Sequence, residues 1–516
     1  MPIQKRLTTT IAAPGAIFFA LTVAFGQFGP PASQGLSTRA NQLPLSGRTG
    51  QTGSVTSTES PVAGATTSVN TINPTVQVQG PYAGSFAGKP FTGKLTLREA
   101  IARGLQYNLG TVAMSQAMRQ AHGQTRVARS ALLPNVNGNL SETVEQLNLQ
   151  ASGLRFNTSA FRGFSIPSVV GPFNFFDLRA ALSQTVADFT AWNNYRSAAE
   201  NVRASELAGK DARDLVVLAV GGAYLQVTAA AARVQSARAQ LDVSNALYGQ
   251  VSQQRAVGLV AQIDVNRSRV QMLTQRQRLV SLQNDLAKQK INLARMVGLP
   301  PNDGYEIADD VPFAPAPAIT VEEALRQAFE QRSDLKAAQA QVRAAERARS
   351  AARAERLPSL SLTADYGVIG TNPAHAHGTF AVVGSLKFPI WNGGRIEGDV
   401  EQADAALTQR HAEMDDVRGQ IETDVRKAYL DLEAARSQVE VATENLQVTK
   451  ENLKLTRQRY DAGVTDNVEV VQSQDSVAGA DLDYINSVFA HNLAKLALAR
   501  AVGQAAGNLA EFIKYQ

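Results

Sequence analysis

Two long stretches without proline constrain this chain most, because the heptad pattern in them fits only long, packed helices. No proline occurs between Pro172 and Pro300 or after Pro389. In the second stretch, large residues recur at every seventh position: Val425, Leu432, Val439, Leu446, Leu453 and Tyr460. A heptad of this length requires knobs-into-holes packing against neighbouring helices. At about 1.5 Å per residue, a helix over 394–461 would be roughly 100 Å long, far more than the width of a globular domain.

The chain also reads as an internal duplication. Thr96, a helix-capping residue, returns 224 positions later as Thr320, and the turn glycine Gly258 returns 205 positions later as Gly463. A long spacing that recurs in this way indicates two copies of one structural unit. We therefore predict a first repeat at 94–302, a linker at 303–319 and a second repeat at 320–516.

Each repeat contains a pair of predicted strands followed by a helical hairpin. Apolar and polar residues alternate from Leu360 to Val368 and again from Phe380 to Phe388. This period of two predicts strands with one apolar and one polar face. The strand pairs are predicted at about 135–188 and about 359–390, and the hairpin tips near 258–264 and near 463–469.

The N-terminal region differs in composition from the repeats. Lys5 and Arg6 precede an apolar run and small residues, which predicts a secretory signal peptide at 1–26, with an uncleaved anchor helix as the alternative. Residues 27–93 are rich in Gly, Ser, Thr and Pro and are predicted to be disordered. No other run approaches about eighteen consecutive apolar residues, so we expect no further transmembrane helix.

Composition and motifs exclude several functional classes. The net charge is +5, but basic and acidic residues are interspersed, which predicts solvated helices and no nucleic-acid partner. The absence of cysteine excludes disulfides, thiolate metal sites and an acylated N-terminal Cys. No catalytic or dinucleotide-binding motif is present, so we expect no enzyme activity and no cofactor. His375 and His377 lie in a predicted loop and are interpreted as solvated rather than as metal ligands.

The predicted strands require more than one chain. Four strands with an apolar face leave two unpaired edges, which hydrocarbon does not tolerate. Two chains would give eight strands and a barrel filled by its own side chains, whereas three give twelve strands and a bore. The predicted fold is therefore mainly α with a β-barrel contribution: long coiled-coil helices plus four strands per chain, closing as a trimeric 12-stranded barrel and α-helical tunnel.

The order of these segments resembles the TolC family of outer-membrane efflux proteins. The resemblance covers about residues 95–510 and includes the glycine-rich junction Trp391-Asn392-Gly393-Gly394-Arg395 between a strand and a long helix. It implies a homotrimeric channel-tunnel in the outer membrane of a Gram-negative-type cell, with helices extending into the periplasm. Such a duct passively conducts substrates from a periplasmic adaptor and an inner-membrane transporter, in efflux or type I secretion. The alternative is a periplasmic coiled-coil adaptor or scaffold, and the cargo stays open.

The resemblance also gives the two hairpin tips a function. It implies that they form the periplasmic entrance, with Asp264, Tyr460 and Glu469 as gating residues. It implies adaptor contacts at Val257, Gly258, Leu259, Ala462, Gly463 and Val464. Two alternatives stay open: Asp264 caps the following helix, and Tyr460 is only a packed ring. We also hypothesise that Glu469 faces the bore and favours cations, as acidic rings do in other pores.

Overall fold

The structure is a computed structural model that describes residues 54–61, 72–151, 153, 167–300, 304–308, 313–317 and 319–513. The signal peptide predicted at 1–26 lies outside these residues. The helices are α1 (Leu97–Tyr107), α2 (Leu109–Ser130), α3 (Phe189–Ala256), α4 (Gln262–Val297), α5 (Val321–Gln331), α6 (Ser333–Ala354), α7 (Arg395–Asp461), α8 (Asn467–Val502) and α9 (Leu509–Phe512). The strands are β1 (Val55–Pro61), β2 (Ile72–Val78), β3 (Lys94–Leu95), β4 (Asn135–Asn148), β5 (Val169–Ala187), β6 (Glu306–Ile307), β7 (Ser359–Gly370) and β8 (Ala376–Lys387).

The chain divides into two compact units, of which the smaller is a β-sheet unit. Its strands lie in the order β4-β5-β7-β8, so the strand pairs of the two repeats join in one sheet. Many large apolar side chains of this sheet are exposed: Val136, Leu140, Val144, Phe173, Leu178, Tyr366, Phe380 and Val382. An exposed apolar surface of this kind marks a contact with lipid or with another protein.

The larger unit contains the helices of both repeats. The Thr96 hydroxyl accepts a hydrogen bond from the Glu99 backbone amide, and the Glu99 carboxylate accepts one from the Thr96 amide, which completes a capping box at α1. In the second repeat, the Thr320 hydroxyl caps α5 in the same way by accepting from the Glu323 amide. The carboxylate of Asp188 caps α3 by accepting from two backbone amides, 2.8 and 3.0 Å away.

The core of the helical unit lies around the middle of α3. Val220, Tyr224 and Leu496 are fully buried there. Helix α3 contains an 18-residue stretch that is apolar enough to cross a membrane, although it is not a continuous run of apolar residues. Of this stretch, 67% is buried inside the structure. Burial of this extent is typical of a core helix. Adjacent glycines let two elements approach α3 closely, because a Cβ on Gly221 would meet Leu496 at 2.9 Å and one on Gly222 would meet Val76 at 2.7 Å.

The expectation of disorder over 27–93 is wrong for residues 54–61 and 72–93. Strands β1 and β2 pair antiparallel, from Val55↔Val78 to Pro61↔Ile72, and the ring of Tyr82 is fully buried. The composition of the segment offers too little apolar surface for a core of its own, but its few apolar side chains pack on the core of distant helices. Residues 27–53 and 62–71 lie outside the described part of the chain. Within the predicted linker, β6 pairs parallel with β3.

Candidate functional site

The first hairpin tip is a glycine-terminated helix end. Helix α3 ends at Ala256, and Gly258 adopts a left-handed backbone conformation with φ of 82°. The Gly258 amide donates to the Arg255 carbonyl at 3.0 Å, and the Leu259 amide donates to the Gln254 carbonyl at 2.9 Å. These bonds satisfy carbonyls that the helix end would otherwise leave unpaired. A glycine is needed at this position because left-handed angles strain residues with a Cβ.

The second tip repeats this geometry. Helix α7 ends at Asp461, and Gly463 has φ of 71°. Here the Val464 amide donates to the Arg459 carbonyl at 2.9 Å. At both tips the apolar residues beside the glycine point into solvent: Val257 is 71% exposed, Leu259 74% and Val464 69%. Gly258, Gly463 and Ala462 are exposed as well. The two tips therefore expose apolar side chains on tight turns. Such a surface is suited to contact with a partner.

Asp264 lies in the first turn of α4 but does not cap the helix. The N-cap is Ala261, which forms no side-chain cap hydrogen bond. The Asp264 carboxylate is instead 3.6 Å from the guanidinium of Arg267, one turn along the helix. Its backbone carbonyl accepts a long hydrogen bond from the Asn467 side chain at 3.4 Å. The capping alternative is therefore wrong, although a carboxylate in the first turn still interacts favourably with the helix dipole.

Tyr460 links the two hairpins within the chain. Its hydroxyl donates to Gln254 Oε1 at 2.9 Å, joining α7 to the end of α3. Its ring packs against a small buried cluster formed by Leu247, Val251 and Val470. Burial raises the pKa of the Tyr460 hydroxyl, and the negative charges of Asp264 and Asp461 raise it further. The ring is therefore both packed and hydrogen-bonded at neutral pH, and it lies in the field of Asp264.

Glu469 lies in the first turn of α8, opposite a cation. Arg459, in the last turn of α7, places its guanidinium 3.3 Å from the Glu469 carboxylate. The N-cap of α8 is Asp466, whose carboxylate accepts from the amides of Val468 and Glu469 at 3.0 and 3.3 Å. Sequence spacing does not identify Arg459 as the partner of Glu469, because the two side chains meet only after the chain reverses at the second tip. The charge of Arg459 offsets that of Glu469 and reduces the cation preference expected of this carboxylate.

A row of polar contacts along α8 joins the second hairpin to the first. Asn467 Nδ2 donates to Ser268 Oγ at 2.8 Å, and the amide of Gln271 donates to Asp475 at 2.6 Å. Further along, Arg233 donates to Asn486 Oδ1 at 2.6 Å, and Ser236 donates to Asp481. Sequence periodicity did not reveal these contacts, because each joins residues that are far apart along the chain.

The described residues contain no cluster of three or more His, Asp or Glu side chains suited to a metal ion. His375 and His377 are exposed, and His375 Nδ1 lies 2.8 Å from Asn372 Oδ1 in the turn before β8.

Comparison with known proteins gives a matching family model, similar relatives and solved structures of similar fold. The family model for outer membrane efflux proteins matches residues 105–299 and 324–504, which include both hairpins. Pyoverdine export outer membrane protein OpmQ of Pseudomonas aeruginosa is 24% identical over 400 residues, covering 75% of this chain and 80% of that protein. The CmeC outer membrane channel of Campylobacter jejuni superposes with a TM-score of 0.68 at 18% identity, over 79% of this chain and 86% of that one. The outer membrane protein VceC of Vibrio cholerae gives 0.67 at 20% identity, over 79% and 96%.

Proposed function

The chain belongs to the outer membrane efflux protein family, as its resemblance to the TolC family predicted, and is an efflux channel of the outer membrane; we propose that three copies complete this channel. The observation that carries the proposal is that the four-stranded sheet of one chain is open and does not close into a barrel. Its order ends in β4 on one side and β8 on the other. Exposed strand edges leave unpaired backbone groups, which are too costly in hydrocarbon. Three copies supply twelve strands, enough for a closed barrel with an open bore.

The helices of the two hairpins support the same closure, because they form a row with α4 and α7 as its two flanks. Helix α3 packs against α4 and α8, and α8 packs against α7, so the helices of the two hairpins lie in the order α4-α3-α8-α7. In a ring of identical copies, α4 of one chain meets the part of α7 nearest the second tip in the next chain. Helix α4 carries seven Lys and Arg against two Asp, and residues 424–461 of α7 carry seven Asp and Glu against seven Lys and Arg, so charge complementarity between the two helices depends on individual pairs. Such head-to-tail contacts close a ring when the rotation between copies fits.

Exposed apolar residues on the two flanking helices, α4 and α7, lie at equal distances from the tips. Leu273 follows the first tip glycine by the same number of positions by which Val448 precedes the second. Val280 and Val441 form the next apolar pair, one heptad farther from the tips on each helix, and all four side chains are exposed in the single chain. Because the rise per residue is the same in both helices, each pair would be level in two antiparallel helices whose tips align.

Charged residues alternate with these apolar ones. Arg276 and Glu444 lie at nearly the same sequence distance from their respective tips, and Arg269 and Glu451 form a second such pair one heptad nearer the tips. Each of these four charged residues lies three or four positions from one of the exposed apolar residues on its own helix. The charged and apolar residues therefore share one face of that helix. Arginine would therefore meet glutamate between neighbouring copies.

Cysteine crosslinking tests the trimer. The chain has no cysteine of its own, so a Leu273→Cys, Val448→Cys variant should crosslink in outer membranes into covalent species up to three chains. The control is Leu273→Cys with Leu430→Cys, because Leu430 is exposed but lies much farther from the second tip than Val448 does. We also expect Arg276→Glu to weaken the trimer and Glu444→Arg in the same chain to restore it. Crosslinked species of no more than two chains, or equal crosslinking of both cysteine pairs, would refute this arrangement.

The hairpin tips are proposed as the periplasmic entrance. Asp264, Tyr460 and Glu469 would lie at its narrowest part, and Val257, Gly258, Leu259, Ala462, Gly463 and Val464 would contact a periplasmic adaptor coupled to an inner-membrane transporter. The apolar side chains of Val257, Leu259 and Val464, which are exposed together on the two tips, support this contact, since grouped apolar surface marks an interaction site. Leu259→Asp should abolish efflux and adaptor crosslinking while the trimer persists, whereas Leu430→Asp, far from the tips, should leave adaptor crosslinking unchanged.

The cargo is proposed only as a class. The relative OpmQ is named for the export of pyoverdine and TtgF of Pseudomonas putida for toluene efflux, which favours small molecules over proteins. Export assays with a small-molecule panel, in cells that lack the endogenous channel, test this proposal. Secretion of a folded protein without any change in small-molecule accumulation would contradict it.

A further inference from the structure

A triad of charged residues lies on one face of the β-sheet unit. Arg179 on β5 donates from Nε to one oxygen of Asp177 at 2.9 Å, and its Nη2 lies 2.7 Å from the other oxygen. Its Nη1 donates to Asp365 on β7 at 3.3 Å. The three side chains are only 19%, 13% and 17% exposed. The paired, two-point geometry to Asp177 is the strongest form of ion pair that arginine makes.

The strands are shaped to place this triad. A Cβ on Gly367 would lie 2.3 Å from the Leu178 carbonyl oxygen and 2.4 Å from the Arg179 Cβ. Glycine therefore lets β5 and β7 approach closely beside Arg179. Asp365 is two residues from Gly367, so both lie on the same face of β7. Asp177 and Arg179 share a face of β5 for the same reason, and the guanidinium reaches both carboxylates.

The opposite face of these strands is apolar and exposed. Leu178 on β5 alternates with Asp177 and Arg179, and Tyr366 on β7 alternates with Asp365. Leu178 is 45% exposed and Tyr366 is 70% exposed. In a closed barrel the apolar face contacts lipid and the other face lines the bore. The two carboxylates and one guanidinium of the triad leave one net negative charge per triad at this level of the lining face.

We propose that Asp177, Arg179 and Asp365 form a charge filter within the barrel that favours the passage of cationic solutes over anionic ones. This inference rests on the proposed trimer, in which three triads give three net negative charges at one level. It differs from the hypothesis for Glu469, a residue of the helical unit whose carboxylate is offset by Arg459. Arg179 acts as a positioning residue, because it holds the two carboxylates in place and cancels one of their charges.

The size of the effect follows from simple electrostatics. Three unit charges roughly 10 Å from the axis of a water-filled bore, screened by about 0.1 M salt, enrich cations about twofold and deplete anions about twofold. The preference for K⁺ over Cl⁻ attributable to the triads is therefore about fourfold. It should decline as the salt concentration rises, since the Debye length shortens to about 3 Å at 1 M.

Reversal potentials across planar bilayers, measured with purified trimers in a KCl gradient, test the filter. Asp365→Asn removes the net charge of each triad and should lose about a fourfold K⁺ preference. Arg179→Met doubles the net negative charge and should shift the reversal potential in the opposite direction. The control is Glu142→Gln. The Glu142 carboxylate lies on the apolar face of β4 with the exposed Leu140 and Val144, not on the lining face, so this variant should keep the reversal potential of the wild type.

The outcomes separate the filter from the channel itself. If wild-type trimers conduct, but Asp365→Asn and Arg179→Met match the control or shift in the same direction, the filter is refuted and the channel stands. If the wild-type protein forms neither trimers nor conducting pores, the proposed function fails instead. Should Arg179→Met fail to assemble, Asp177→Asn replaces it and must shift the potential in the same direction as Asp365→Asn.

Discussion

Removing the Tyr460 hydroxyl should open the proposed entrance. In Tyr460→Phe, the ring keeps its packing against Leu247, Val251 and Val470, but the 2.9 Å hydrogen bond to Gln254 is lost. One such bond contributes about 0.5–1.5 kcal/mol net, and Gln254 is partly exposed, so water replaces the lost donor without a large further penalty. We expect opening to separate α7 from the end of α3 and so to break this bond in each chain. At about 1 kcal/mol per chain, a concerted trimer then loses about 3 kcal/mol of closed-state stability, or roughly a hundredfold in the closed-to-open ratio.

Single-channel recording in planar bilayers measures this shift as open probability and mean conductance. Tyr248→Phe is the matched control, because Tyr248 is half-buried near the first tip and its hydroxyl has no hydrogen bond among the described residues. We expect long openings in Tyr460→Phe and wild-type behaviour in Tyr248→Phe. Intact Tyr460→Phe trimers with the open probability of the control would show that this hydrogen bond does not hold the entrance closed.

Two further predictions concern the helical unit. Gly222→Ala should detach β2, because the new Cβ would lie 2.7 Å from Val76, whereas Gly249→Ala meets no atom within 4 Å; limited proteolysis should cleave the N-terminal segment faster only in the first variant, and equal rates would contradict the packing. Burial, with lesser contributions from Lys495 and Arg436, lowers the pKa of His491 to about 4. Since the histidine pKa is about 6.5 in the unfolded chain, the unfolded state binds a proton at a higher pH than the folded state does. The free energy of unfolding should therefore fall by about 2–3 kcal/mol between pH 6.5 and pH 4.5. Thermal melts of His491→Leu should lose less stability over this range than the wild type, and an equal loss would exclude His491 as the cause.

The hairpin tips are the part of the candidate site that the sequence predicts best. Gly258 and Gly463 each lie between two stretches of helical periodicity, which predicts turns, and their left-handed backbone angles agree with that prediction. The partners of the neighbouring side chains could not be identified in this way. Gln254 lies 206 positions from Tyr460, and the Arg459 and Glu469 side chains meet only because the chain reverses at the second tip.

The sequence by itself determined the long helices, the duplication and the strand pairs, because each depends on a period that consecutive residues carry. Tertiary structure alone decided that residues 54–61 and 72–93 are ordered, since Val76 and Tyr82 pack on helices encoded elsewhere in the chain. It also decided that Arg179 meets Asp365, 186 positions away. Periodicity fixes which face a side chain occupies, but only the packed fold fixes which distant side chain lies opposite, because burial and charge pairing depend on neighbours in space.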